Sequence, residues 1–407
     1  MYRWIFLCTL FCVSFSYGQN DSLVFKNGIA KPNSVSAHHF GMFHLRINQN
    51  FQEKPVQRPS LQLIYESANS FQPFLEAYLP EDPTIREAFG KIPWYNRSFE
   101  FIDQQSTPAE YMNIIVDAVF KVFRIDFKTP LTTKSEFGIT LRTFMPNEGH
   151  YPFSIFTSDE SIEWFHSNIA GGEDAFGRRF FGLNKVNVSY QDRNGRSMNL
   201  KKNQIVFAGI ELNHFYYPQW FKTEKNLYTN IGSHIGINTS SYNPTIDLGI
   251  SANMVKKWLL KNKNELRYGI GLAGIRKSVI EFETPVDFGN NLWMGSAELN
   301  WEFTKYTRKG NTHSFSLNYQ IQTSYNKREE ADYYFLDGGS TWQDIHSYWQ
   351  SGFSTLYEYL SVYTFFYNYQ RPNFSLSLYL KEDLRVNNAP DLQTCIAITI
   401  PLVGNSK

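Results

Sequence analysis

Between His313 and Tyr325 the chain reads HSFSLNYQIQTSY, with Phe315, Leu317, Tyr319, Ile321 and Tyr325 on one parity and Ser314, Ser316, Asn318, Gln320, Gln322 and Ser324 on the other. A period of two with one oily face and one wet face is the signature of a β-strand. The length of the run is the strongest constraint on the fold. A strand tilted across a bilayer needs roughly 9 to 11 residues of such alternation, whereas soluble strands most often stop near 5 or 6.

The pattern recurs along the chain. Leu227–Asn238 sets Leu227, Thr229, Ile231, Ser233, Ile235 and Ile237 against Tyr228, Asn230, Gly232, His234, Gly236 and Asn238. Ile246–Met254 repeats it after the turn SSYNP, so the two form a hairpin. Leu266–Ala273 carries glycines on its inner parity, which implies close packing in a narrow barrel or room for a plug. Leu392–Leu402 reads as a closing strand. Further strands are expected at 61–66, 114–128, 136–144, 185–191, 204–213, 292–303, 356–368 and 374–381. Within 114–128 the apolar parity switches after Val122, which predicts a bulge there.

Residues 1–18 place Arg3 before an apolar run and small or polar residues after it, as a secretory signal peptide does, leaving 19–407 as one domain. Cys8 and Cys12 fall within that leader, so Cys395 is alone in the mature chain and no disulfide framework is available. Beyond the leader no run approaches the ~18 apolar residues of a spanning helix. An aromatic content of 17% suits interfacial girdles, and a net charge of +1 gives no pull toward nucleic acid.

Short turns such as TPLTT and DRNGR alternate with long connections at Ser67–Tyr111, Met145–Asn184 and Ser324–Gly352, the asymmetry of short periplasmic turns and long extracellular loops. In the second connection SDESIEWFHSNI predicts a short amphipathic helix, N-capped by Ser158, with Ile162, Phe165 and Ile169 at helical spacing. It would cap the mouth, lie on the membrane or insert as a partial plug. The expectation is an all-β, antiparallel, up-and-down transmembrane β-barrel of about 12 strands with that helix in an extracellular loop. A β-sandwich or soluble barrel is the alternative.

Parity assigns Asp117, Lys121, Arg142, Glu211, His234, Asp247, Arg267, Glu298 and Glu302 to the lumen, with Arg124, Asp126 and Lys128 beside them. Charges of both signs read either as an ion-paired filling or as the wall of a polar conduit. His38, His39 and His44 lack the cysteine or repeated carboxylate spacing of a metal site, so no metal is expected. His214 near Glu211 is the candidate general base of a lipid-directed hydrolase, but G-x-S-x-G, Walker, Rossmann and zinc-protease motifs are absent. No cofactor is expected, and enzymatic activity is unsupported.

Four ordered stretches, Arg46–Asn50 (RINQN), Trp164–His166 (WFH), Asp174–Gly177 (DAFG) and Glu382–Leu392 (EDLRVNNAPDL), resemble domain-of-unknown-function family 3187, a group of Gram-negative outer-membrane β-barrel proteins. The insertion SNIAGGE separates two of them here. The resemblance implies an outer-membrane address and makes the loop holding Trp164, Phe165, His166, Asp174, Phe176 and Gly177 the shared functional element. The expected partners are outer-membrane lipid and a small-molecule ligand, with no nucleic acid. The leading expectation is passage or binding of a small compound, apolar ones included. The alternatives are a lipid-directed outer-membrane hydrolase and an accessory barrel that binds another envelope protein.

Overall fold

The computed structural model describes residues 26–32, 39–79, 82–84, 110–150, 154, 156–170, 172, 178–220, 225–261, 264–325, 359–383 and 392–402. The proposed leader, His38 and the stretch Asp174–Gly177 lie outside them. Fourteen strands form one sheet: β1 (Ser60–Leu79), β2 (Glu110–Thr132), β3 (Ser135–Asn147), β4 (Asn187–Gln191), β5 (Ser197–Leu200), β6 (Val206–Tyr216), β7 (Leu227–Asn238), β8 (Thr245–Leu259), β9 (Glu265–Glu281), β10 (Trp293–Tyr306), β11 (Thr312–Gln322), β12 (Leu360–Gln370), β13 (Ser375–Asp383) and β14 (Leu392–Pro401). Neighbours pair antiparallel, β1 pairs with both β14 and β2, and the result is a closed 12-stranded barrel. Closure leaves the wall without an unpaired edge.

The other two strands are not staves. β4 pairs with the outer part of β2, Val116 facing Val188 in register, and β5 pairs with β4. Lys185–Gln191, expected as a wall strand, is therefore part of a hairpin at the barrel mouth. Its turn is local chemistry: Asp192 Oδ1 accepts from the Asn194 and Arg196 amides at 2.9 and 2.8 Å, and Gly195 takes φ +77°.

The three longest connections, 80–109, 148–205 and 323–359, leave from one end of the barrel, and both ends of the described chain lie at the other. We call these the long-loop and short-turn ends. The first connection is shorter than expected, because β1 and β2 stay paired as far as Leu79 and Glu110. Backbone pairing there continues past the point where oily and wet residues stop alternating.

The expected bulge at Val122 is absent. β2 pairs in unbroken register with β1 and with β3 through that position, and the irregularities fall at Gln72/Leu75 and Pro130/Thr132. Even-numbered residues Val116, Ala118, Phe120 and Val122 point into the core throughout, while Phe123 and Ile125 point out. The apparent switch of faces reflects what covers the outer face, not the strand. Around the rest of the wall the exposed residues include Ile231, Ile235, Leu248, Ile250, Leu272, Trp301, Phe315, Leu317, Phe365 and Ile396, the apolar belt that a bilayer-spanning barrel presents.

Candidate functional site: a filled lumen and a vestibule

The lumen is occupied by the chain's own N-terminal segment. Residues 26–32 form one leg, the 3-10 turn His39–Phe43 forms an apex near the long-loop end, and residues 44–56 return to β1. The legs are joined by a bond from the Ile29 amide to the Phe51 carbonyl at 2.9 Å. Glycines on the inner wall make room for the returning leg. A Cβ on Gly236 would come within 2.6 Å of Leu45 Cβ, and one on Gly249 within 2.5 Å of Ile47 Cδ1. The close packing read from inner-parity glycines is thus packing against a plug.

Charge fastens the plug at the short-turn end. Lys26 is ion-paired with Glu302 and Lys31 with Glu298, all four side chains almost wholly buried. Glu53 takes Arg267 Nε at 2.9 Å and Lys257 Nζ at 3.0 Å, and Arg267 also meets Glu265 at 2.6 Å. The Ala30 amide donates to Glu302 at 3.0 Å. On the return leg Asn50 donates to Glu136 at 2.8 Å, and Arg46 is bonded to Gln320. Removal of either partner from such a pair would strand a charge in a dry interior.

Higher up, Asp247 accepts from the Leu45 amide at 2.9 Å and from Asn238 Nδ2 at 2.8 Å. Arg142 donates to the Met42 carbonyl at 3.3 Å and to Asn238 Oδ1 at 2.7 Å, bonds the His44 carbonyl, and lies 3.1 Å from Glu211. Arg124 approaches Glu211 at 3.5 Å. His44 is held in this layer, its Nδ1 3.2 Å from Asn243 Nδ2, with no cluster of metal ligands among the described residues.

The apex closes the long-loop end with apolar contact. Phe43 stacks on Phe288 at 4.7 Å, Phe40 packs on Tyr190 at 4.7 Å and on Phe288 at 5.0 Å, and Phe144 meets Phe43 edge-on. The β4–β5 hairpin reaches across as a lid: Tyr190 Oη donates to the Asp287 carbonyl at 2.6 Å, and Asp192 accepts the Asp287 amide at 2.8 Å. Burial of each such aromatic contributes about 1.5–3 kcal/mol.

At the short-turn end the plug leaves space. A cavity of ≈ 550 Å³ lies between its legs and the inner faces of β1–β3, β6 and β12–β14, lined by polar residues including Gln62, Lys128, Asn213, Asn368, Ser377 and Thr399. Lys54, Arg58 and Arg371 stand at its edge. Two smaller voids deeper in the lumen measure ≈ 20 and ≈ 10 Å³, room for about one water each.

Seven of the nine lumen candidates, Arg142, Glu211, His234, Asp247, Arg267, Glu298 and Glu302, face inward; Arg142, Asp247, Arg267, Glu298 and Glu302 make the plug contacts above, and Glu211 pairs with Arg124 and Arg142. Asp117 and Lys121 do not. Lys121 stands opposite Ser67 and Asp117 opposite Phe71, on the outward face of β1 and β2. Lys121 Nζ donates to Ser67 Oγ at 2.8 Å and bonds Ser154. They are buried because the 148–205 connection folds down the outside of the barrel. Parity within 114–128 failed there because an outer face need be apolar only where lipid touches it.

The expected helix forms as α1 (Asp159–Phe165), capped by Ser158 Oγ accepting the Ser161 amide, and continues as a π-turn over His166–Ala170. It neither caps the mouth nor enters the lumen. Its stripe is divided: Ile162 is buried, while Trp164, Phe165 and Ile169 are exposed. Asp159 anchors it, accepting from Asn69 Nδ2 at 2.9 Å and Arg178 Nη1 at 3.2 Å, with Arg178 over the Phe71 ring at 4.4 Å. His166 is half-buried on this loop.

Sequence reading overlooked one relay. His234 Nδ1 lies 2.6 Å from Asn213 Oδ1 and its Nε2 lies 2.9 Å from Ser251 Oγ, a Ser–His–Asn chain on three adjacent strands. Inward parity of all three was the signal that could have grouped them. Ser251 lines none of the three cavities, and Phe215 covers the imidazole edge-on at 5.3 Å. The relay ties β6, β7 and β8 together rather than presenting a nucleophile. His214 takes the opposite parity to Asn213, on the outer face.

No family model matches the sequence, and no curated protein matches it. Among solved structures the chain is similar to an outer membrane channel from Pseudomonas putida F1, at TM-score 0.39 and 9% identity over 88% of this chain and 100% of that one. It is similar to the NanC porin at TM-score 0.35 and 9% identity, over 70% and 94% of the respective chains. The KdgM porin gives TM-score 0.31 and 7% identity over 72% and 98%. At these identities the likeness is one of fold.

Proposed function

We propose that the protein is an outer-membrane β-barrel that admits a small compound through its lumen, with the N-terminal hairpin as the gate and the short-turn vestibule as the binding chamber. The apolar belt, the girdle aromatics and the leader-like residues 1–18 support the address, and the four ordered stretches resembling family 3187 point the same way. On this reading the long-loop end is extracellular and the vestibule opens to the periplasm. The observation that carries the proposal is the asymmetry of the plug. Its short-turn ion pairs go to Lys257, Arg267, Glu298 and Glu302 on β8–β10, and the vestibule lies against the opposite wall. On the vestibule side the plug is held by uncharged donors instead, the Asn50 side chain and the Val56 amide on Glu136, and the chamber leaves room for the hairpin to shift without breaking the wall.

Planar-bilayer conductance tests this with three forms: the intact chain, a chain lacking residues 26–53, and a tethered Ile47→Cys/Gly249→Cys chain that also carries Cys395→Ala. The expected result is a steady current from the truncated barrel and sparse openings from the intact one. Oxidation of the tether abolishes the openings and reduction restores them. A truncated barrel no more permeable than the oxidised tethered one would remove the gating role.

A further inference from the structure

The outer face of the β1–β2 extension carries an apolar-tipped platform that, among the described residues, makes no contact with the plug. Four large side chains of the 148–205 connection point away from the protein: Phe156, Trp164, Phe165 and Ile169, at 65, 60, 48 and 61% exposure. In water such a cluster of exposed large apolar side chains is unfavourable, and it marks a surface that is covered in use. The segment is nevertheless held in that posture. Behind it Thr157 is bonded to Ser67 at 2.5 Å and to Asn69 Nδ2 at 3.0 Å, and Asp159 and Arg178 fill the space over Phe71.

Position identifies the occupant. The docking pair Ser67–Lys121 is two residues beyond the outward pair Tyr65–Phe123, followed by Leu63–Ile125 and Leu61–Phe127. The platform thus begins where the apolar belt ends, on the same face of the same strands. Exposed Trp, Phe and Ile side chains gathered on one short element beside the apolar belt are what an interfacial anchor presents to lipid. We propose that Phe156, Trp164, Phe165 and Ile169 insert into the lipid leaflet on the long-loop side, so that α1 extends the lipid-facing surface of β1–β2 outward as a membrane foot. The ligand is the glycerol and upper acyl region of a phospholipid. This rests on the reading of the barrel as a membrane protein.

Spin labels on the full-length chain test both layers. Single cysteines replace Trp164, Ile169, Glu160 or Ile250 in a Cys395→Ala background, in phosphatidylcholine nanodiscs, and relaxation by oxygen is compared with that by a water-soluble nickel chelate. Ile250, 68% exposed on β8, reports the belt, and Glu160, exposed on the helix, reports water. The expected result is an oxygen-to-nickel ratio several-fold higher at 164 and 169 than at 160, below or equal to that at 250. If 250 reports lipid while 164 and 169 match 160, the foot is overturned and the barrel stands. If 250 itself reports water, the membrane reading fails. Labels at 164 and 169 shielded from both relaxants, with a larger particle on sizing, would assign the patch to a protein partner and overturn the proposal.

Discussion

Arg267 shows what single residues contribute here. Its guanidinium is fully buried and serves Glu53 of the plug together with Glu265 and Glu302 of the wall, the last at 3.7 Å. Arg267→Met would leave acids facing one another without their shared cation, a loss of about 3–5 kcal/mol by analogy with other broken buried pairs. Denaturant unfolding in detergent should show it. By contrast, Lys202→Met breaks an exposed pair with Glu148 and should leave the unfolding midpoint nearly unchanged; equal effects from the two would refute the buried network. Gly236 makes a steric version of the same case. Gly236→Val would collide with Leu45 and cost about 1–3 kcal/mol, whereas a Cβ on Gly274 would meet nothing within 4 Å. Faster cleavage of the 39–53 segment by added protease in Gly236→Val, and not in Gly274→Ala, is the expected readout. Parity in the sequence placed Arg267, Glu298 and Glu302 correctly because both faces of those strands are specified, one by lipid and one by the plug. It misplaced Asp117 and Lys121 because their outer face meets a loop.

At the scale of elements, the staves were legible and the fillings were not. Leu227–Asn238 was read to the residue, since twelve alternating positions leave no other register. The plug left almost no trace of its own: it is irregular, bonded largely through backbone groups and long-range side chains, and its one sequence signal is the glycines on the strands that receive it. Of the β4–β5 lid, Asn187–Gln191 was legible as strand but not as lid, and Ser197–Leu200 was not marked as strand at all, because pairing to β2 at the mouth looks locally like pairing within the wall. The 148–205 connection makes a prediction at this scale. Arg178 sits between Asp159, Asn69 and the Phe71 ring, so Arg178→Met should release α1 from the wall while the barrel stays intact. Limited trypsin digestion of folded protein should then cut at Lys185 many times faster than in the parent chain. An unchanged cleavage rate would mean that the Thr157 contacts with Ser67 and Asn69 hold the loop without Arg178.

For the whole molecule, the wall and its contents are separable. Each of the wall strands is bonded to two others, and none of these pairings passes through residues 26–56. Closure alone should therefore suffice for a barrel, as backbone satisfaction in lipid requires. The contents set how stable that barrel is. Without the hairpin, Glu298, Glu302 and Asp247 lose Lys31, Lys26 and the Leu45 amide, and Phe144 and Phe288 lose Phe43. Water entering the lumen offsets the first loss by solvating the carboxylates, but not the second, because the apolar apex contacts have no aqueous substitute. A chain lacking residues 26–53 should accordingly keep the mobility difference between heated and unheated samples in detergent gels, while the temperature at which that difference disappears falls by several degrees or more. The drop should be undiminished at high salt, since the lost term is mainly apolar contact. Loss of the mobility difference at all temperatures would show instead that the plug is required for the wall to close.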